Sequence, residues 1–340
     1  MMERNIAIMA DFFRNKPASL RAHSKVHRVP VIAHKQIEAG AKGLCCQKVA
    51  EAELMVATGI KDIIVTNEVV APAKIKRLIA LAKQAKICVP IDSLSNAELL
   101  SRAAQREGVE LNVLVDVHLG SNRCGVEPGE PTAKLAMVIK GLKGLNFLGL
   151  MGFEGQLSAI EPREDRRIEI EKYESLLINS KRQIENAGIK VQEISTGSTG
   201  TYDVSGATSE ITEVQAGTYV LMDSEYRKHV QEFSCALTVL STVISKPSDQ
   251  RVVTDAGLMS ISTAQGKPEM VGNESLEVEE LHAENTVLRV TGPSKVKVED
   301  RIEFIPSYLD GTVNYHSKIY GVRKERVETI WNTLGRGTSN

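Results

Sequence analysis

The residues with the clearest chemical potential surround one lysine, in Ala18-Ser19-Leu20-Arg21-Ala22-His23-Ser24-Lys25-Val26-His27. Ala18, Leu20 and Ala22 alternate with Ser19, Arg21 and His23, the period of a short strand with one buried face. Lys25 falls where that strand ends, with Arg21, His23, His27 and Arg28 close by in sequence. Like charges disfavour protonation of a partly desolvated amine, and a neutral amine captures a carbonyl compound as a Schiff base. Two further stretches combine glycine with hydroxyls: Ser195-Thr196-Gly197-Ser198-Thr199-Gly200-Thr201 and Ala216-Gly217-Thr218-Tyr219. Small residues let backbone N–H groups approach a phosphate, and hydroxyls add donors. Arg123, in Gly120-Ser121-Asn122-Arg123-Cys124-Gly125, is a fork that suits an anionic oxygen.

These groups must be held by an ordered series of elements. Up to about residue 220, strand-like runs alternate with helical ones over short connections. Helices are expected at Glu3–Asn15, Pro30–Ala39, Ala50–Thr58, Pro72–Gln84, Thr132–Lys143 and Arg163–Asn186, and one from Ser95, which with Glu98 spells a capping box. Strands are expected at Ala18–His23, Gly43–Gln47, Asp62–Thr66, Ile87–Ile91, Leu111–Val117, Leu145–Met151, Val191–Thr196 and Glu213–Ala216. This alternation implies a parallel sheet with crossover helices, and its length suits a closed (β/α)₈ TIM barrel. In such a barrel the chemistry sits at the carboxyl ends of the strands, where Lys25, Gln47, Thr66, Asn67, Asp116 and Arg123 fall, and phosphates lie after strands seven and eight. After about residue 230 short Thr/Val-rich runs follow one another with no helical period, so an all-β second domain is expected, with domains at 1–228 and 229–340.

Composition narrows the function classes. A net charge of -1 and an aromatic fraction of 4% argue against nucleic acid and anionic membranes as partners. No apolar run approaches the ~18 residues of a membrane span, and no signal-peptide pattern opens the chain. The five cysteines have no C-x-x-C spacing and sit mostly in apolar runs, which suits reduced thiols in the cytoplasm.

A lysine at the end of strand one and a phosphate cradle across the barrel point to a phosphorylated aldehyde, pyridoxal phosphate. The ordered set R-A-H-S-K-V-H, G-L-C-C-Q-K-V-A-E-A-E, D-I-I-V-T-N, G-S-N-R-C-G-V, S-T-G-S-T-G-T-Y-D, E-V-Q-A-G-T-Y-V-L-M-D, D-A-G-L and I-P-S-Y-L-D-G-T-V-N resembles the D-threonine aldolase and D-serine dehydratase family. These are fold-type III pyridoxal phosphate enzymes with an alanine racemase-like barrel and a β domain. The resemblance implies Lys25 as the Schiff-base lysine and Arg123 near the cofactor hydroxyl or a substrate carboxylate. It further implies His23 and Gln156 beside the ring, and Thr196, Gly197, Thr199, Gly200, Gly217, Thr218 and Tyr219 around the phosphate. A homodimer acting on a small D-amino acid is implied as well.

The chain departs from the family pattern at informative places. The family's opening D-x-P-x-L-x-x-D-L-type strand has no counterpart, since Met1-Met2-Glu3-Arg4 leads straight into the first helix; the barrel is expected to survive this. Where the pattern reads Y-E-G-H, this chain has Phe153-Glu154-Gly155-Gln156, and Asn285 stands where a histidine is frequent. Where the pattern places H-x-C or H-x-D to bind a divalent metal, this chain has Tyr308-Leu309-Asp310. A phenol replaces imidazole poorly, so Asp310 alone is left for Mg²⁺ or Mn²⁺. His316, placed on an expected strand, reads as structural or as a surface residue. The implied reaction is retro-aldol cleavage of a β-hydroxy D-amino acid, with Tyr308 or a water held by Asp310 at the hydroxyl. Racemisation with Lys25 and Tyr308 as two bases, dehydration of D-serine, and a non-catalytic cofactor carrier are the alternatives.

Overall fold

The computed structural model describes residues 1–272 and 275–338, so the last two residues of the expected second domain lie outside it. The chain forms two compact units. One holds Ile6–Lys25, Pro30–Gly217 and the described end of the chain; the other holds Met1–Asn5, Val26–Val29 and Thr218–Arg336.

The first unit is a closed barrel of eight parallel strands. They are β1 (Ser19–His23), β2 (Gly43–Cys46), β3 (Asp62–Val65), β4 (Lys86–Ile91), β5 (Leu111–Val117), β6 (Leu145–Gly152), β7 (Glu193–Thr196) and β8 (Glu213–Val214). The helices are α1 (Met2–Phe13), α2 (Pro30–Glu38), α3 (Val49–Ala57), α4 (Pro72–Ala82), α5 (Leu94–Glu107), α6 (Glu130–Gly141), α7 (Arg163–Asn186) and α8 (Tyr202–Ser205). Runs such as Val113-Leu114-Val115 are buried throughout because helices cover one face and the barrel interior the other.

That arrangement corrects the reading of β1. Leu20, Arg21 and Ala22 are all buried, so the strand has no solvent face. Arg21 packs among the amino ends of the strands, its Nη1 2.7 Å from Asp62 Oδ1 and its Nε 2.9 Å from Glu213 Oε2. Lys42 Nζ lies 3.0 Å from both Glu193 Oε1 and Glu213 Oε2. Burial opposes charge on Arg21 and Glu213, yet their mutual attraction, with that of Asp62 and Lys42, outweighs it and keeps the Glu213 carboxyl below the usual carboxylate range. Arg21 is thus an ion-paired plug at the end of the barrel away from the chemistry, not a cation bearing on Lys25. The expected capping box is also absent: the cap lies two residues earlier, at Ser93, which makes no side-chain capping bond, and Glu98 pairs with Arg102 at 3.4 Å.

The second unit includes α9 (Ser224–His229), capped by Asp223, whose carboxylate accepts from Tyr226 N at 2.8 Å. Its strands are β9 (Val239–Ser248), β10 (Arg251–Thr254), β11 (Glu269–Met270), β12 (Leu276–Leu281), β13 (Thr286–Val290) and β14 (Arg301–Ile305). They form an antiparallel sheet in the order β11-β14-β9-β10-β13-β12 over a core that includes Val243, Val252, Leu288 and Phe304. A helix, α10 (Leu309–Tyr315), precedes the hairpin of β15 (Lys318–Arg323) and β16 (Arg326–Asn332). The expected β domain is thus present as an antiparallel sheet, and α10 is a short addition within it. With buried residues only at Leu309, Thr312 and Val313, α10 is too short for its period to stand out. His316 follows this helix rather than lying on a strand, and its Nε2 donates to Ser260 O at 2.8 Å. Among the described residues no helix is long and apolar enough to cross a membrane.

Candidate active site

Lys25 sits in a single 3₁₀ turn, Ser24–Val26, directly after β1. A buried carboxylate sets that turn. Glu51, in the first turn of α3, accepts from Ser24 Oγ at 2.5 Å and from Gln47 N at 2.9 Å, tying the turn after β1 to the one after β2. Hydrogen bonds to a charged group contribute about 1.5–3 kcal/mol each, enough to hold a three-residue turn in one register. His23 braces the same region. Lys25 N donates to its Nδ1 at 3.3 Å, which leaves the proton on Nε2 to reach Thr66 Oγ1, also 3.3 Å away.

The glycine-hydroxyl loop after β7 is held by a second buried carboxylate. Glu154 Oε2 accepts from Thr196 Oγ1 at 2.7 Å and Gly197 N at 3.2 Å, and Oε1 from Thr201 Oγ1 at 2.7 Å. Ser198 N donates to Thr201 Oγ1 at 2.8 Å, which tightens the loop further. Gly197 has φ +85, a Cβ at Gly200 would overlap the Ser158 side chain, and one at Gly217 would sit 2.9 Å from His23 Cβ. These positions exclude side chains and bring bare backbone beside buried Thr196 and Thr199, a cradle of the kind a phosphate requires. With the amine of Lys25 just past the end of β1, the barrel's own residues fit pyridoxal phosphate. Gln215, after β8, was not anticipated; its Nε2 donates to Ser195 Oγ at 2.7 Å. Thr218 and Tyr219 begin the second unit, where the buried Tyr219 ring lies 5.7 Å from Phe233.

Acids from three strand ends meet beyond β3, β4 and β5. The Asp116 carboxyl is raised well above the usual range, first by burial and then by the charge and hydrogen bond of Glu68, with Arg123 acting in the opposite sense. Burial, then Glu68, pushes the Cys124 thiol up to about 12. Donor atoms of Glu68, Asp92 and Cys124 lie within 4.8 Å of one another. Both shifts favour the protonated forms of Asp116 and Cys124, which makes this cluster less negative than its composition suggests. The Arg123 guanidinium lies 4.5 Å from the centre of the Phe153 ring. Gln156, exposed at its surface, donates from Nε2 to Leu119 O at 2.6 Å.

In the second unit the Tyr308 hydroxyl donates to Asp310 Oδ2 at 3.3 Å. Burial, followed by Asp310, pushes the phenol up to about 12, while Arg28 acts the other way. Arg28 is itself fixed, with φ 55 and Nη1 bonds to Asn314 Oδ1 at 3.0 Å and Gly335 O at 3.1 Å. A phenol that retains its proton and gives it to the neighbouring carboxylate leaves one oxygen ligand. A resident Mg²⁺ or Mn²⁺ needs more, so this donor set does not fit a metal.

Glu51 and Glu154 escaped the sequence reading for one reason. A glutamate in a helix or loop reads as solvated, and only its neighbours in space reveal that it is buried. Glu154 did carry a signal, since it lies inside the quoted Phe153–Gln156 motif.

Known proteins bear on this geometry. Residues 1–225 match the family described as alanine racemase, N-terminal domain, and residues 236–322 match a putative serine dehydratase domain. The chain is 36% identical to a D-threonine aldolase of Arthrobacter sp. over 342 residues, covering 99% of this chain and 90% of the relative. It is 33% identical over 347 residues to a 3-hydroxy-D-aspartate aldolase of Paracoccus denitrificans, covering 99% and 89%. The crystal structure of D-threonine aldolase from Filomicrobium marinum superposes with a TM-score of 0.96 at 31% identity, covering 100% of this chain and 94% of that one.

Proposed function

Since the chain belongs to the family that joins an alanine racemase N-terminal domain to a serine dehydratase-type domain, D-threonine aldolase among its members, we propose that it is a pyridoxal phosphate-dependent lyase. Its reaction is the cleavage of a β-hydroxy D-amino acid to glycine and an aldehyde. The observation that carries this reading is end-to-end similarity to two aldolases, in a barrel whose first strand ends at a braced lysine.

Lys25 would hold the cofactor aldehyde, and Thr196, Gly197, Thr199, Gly200, Gly217, Thr218 and Tyr219 its phosphate. His23 and Gln156 would flank the ring. When bound, the cofactor supplies a sink for the electron pair released as Cα–Cβ breaks. Arg123 binds the cofactor hydroxyl or the substrate carboxylate and so orients the bond to be broken. Tyr308 serves as a relay: it takes the β-hydroxyl proton while passing its own to Asp310, and the Cβ–oxygen bond becomes the aldehyde carbonyl. A phenol held up to about 12 is no base alone, and its bond to Asp310 supplies the missing acceptor.

Incubation with D-threonine or D-3-phenylserine tests the proposal. Glycine and aldehyde are expected with or without Mn²⁺, and no aldehyde in either case removes the aldolase reading. Lys25→Ala should abolish the absorbance band of the attached cofactor; an unchanged band would show that another residue is the anchor. We further infer a cytoplasmic homodimer; the expected domain boundary at residue 228 falls beyond the point, after Gly217, where the two compact units divide. Cys45, Cys46 and Cys88 are free and buried, which supports that compartment.

A further inference from the structure

Arg123 stands at the tip of a loop whose backbone does little to aim it. Gly120, Asn122 and Gly125 all have positive φ, and the loop is closed at its base by Val126 N donating to Asp116 O at 2.9 Å and His118 N donating to Val126 O at 2.9 Å. The tip, Asn122 to Cys124, is exposed. A long side chain there has many rotamers, and the acids Glu68 and Asp92 would draw a guanidinium onto themselves. Its position above Phe153, 4.5 Å from the ring centre, is therefore the contact that needs a cause. The ring itself is closely confined, because a Cβ at Gly155 would overlap its far end. A cation over an aromatic face is held without a hydrogen-bond acceptor, so its N–H fork stays available for an incoming carboxylate or phenolic oxygen.

We propose that Phe153 is a positioning residue, an aromatic seat that keeps the Arg123 fork from closing onto the acidic cluster and leaves its donors to the ligand. This rests on the reading of Arg123 as the residue that binds the cofactor hydroxyl or substrate carboxylate. Gly155 belongs to the same device, as the position that leaves room for the ring.

Steady-state kinetics with D-threonine and a spectroscopic titration with pyridoxal phosphate test it on the full chain. Phe153→Leu should raise KM for D-threonine, or the cofactor dissociation constant, by about three- to tenfold, with kcat within about twofold and an unchanged Tm. Phe153→Tyr, which keeps the ring face and matches the family's Y-E-G pattern, should restore wild-type values. On an Arg123→Ala background, Phe153→Leu should add nothing. If Phe153→Leu leaves both constants unchanged, or has its full effect without Arg123, the seat is refuted while Arg123 keeps its role. If Arg123→Ala alone changes neither constant, the reading of Arg123 falls first and the seat with it. If D-threonine is not cleaved at all, the aldolase reading fails, and the cofactor titration still decides between seat and no seat.

Discussion

Glu154 shows how much of this site depends on a single buried acid. Its two oxygens take three hydrogen bonds from the glycine-hydroxyl loop, all inside the protein. In Glu154→Ala these donors lose their acceptor, at about 1–3 kcal/mol for each left unsatisfied. The loop should lose its shape, and pyridoxal phosphate titrations should show affinity at least about tenfold weaker. Tyr308 and Asp310 permit a different test. If they relay the hydroxyl proton, Asp310→Asn should lower kcat by about a hundredfold or more while the absorbance of the attached cofactor is unchanged. An equal loss of cofactor binding would mean that Asp310 holds structure rather than a proton.

Between elements, the contact of α7 with the segment around α8 carries a buried titratable group. Glu174 faces inward from α7 and accepts from Thr208 Oγ1 at 2.7 Å. Burial pushes its carboxyl up to about 7, against the hydrogen bonds of Ser205 and Thr208, and Glu154 adds to the rise. Because the folded value lies above the unfolded one, the fold favours the protonated form. That stability is fully present below about pH 4.5, is lost as pH rises towards 7, and then stays level; the loss is roughly 3 kcal/mol. Denaturant unfolding from pH 4.5 to 8 should show this decline, and Glu174→Gln should make it shallower, the raised carboxyls of Asp116 and Asp223 keeping their own share. A wild-type curve already flat would mean that Glu174 is ionised in the fold.

For the molecule as a whole, the strand beginnings are joined by charge as well as by hydrogen bonds. Arg21 is 1% exposed and is shared by Asp62 of β3 and Glu213 of β8, so it links strands on both sides of β1. Arg21→Met leaves Glu213 buried with Lys42 as its remaining ionic partner among the described residues, and stability should fall by about 3–5 kcal/mol in denaturant titration. Such a loss with the cofactor spectrum of the surviving folded fraction intact would separate the plug from the chemistry. The homodimer is tested at this scale too: sedimentation should give twice the chain mass.

The alternation of apolar strands and amphipathic helices by itself determined the barrel, because burial on one or two faces is written into the period of each element. α7 at Arg163–Asn186 and β5 at Leu111–Val117 were legible to the residue, and so was the placement of Lys25 just past a strand end. Only the tertiary structure decided what the charged residues do. Arg21 looked like a neighbour of Lys25 and proved to be paired at the barrel's other end, while Glu51 and Glu154 looked solvated and proved to hold the two functional turns. The reason is physical: the state of a buried charge is set by partners that chain closure brings from distant strands, and no local pattern records them.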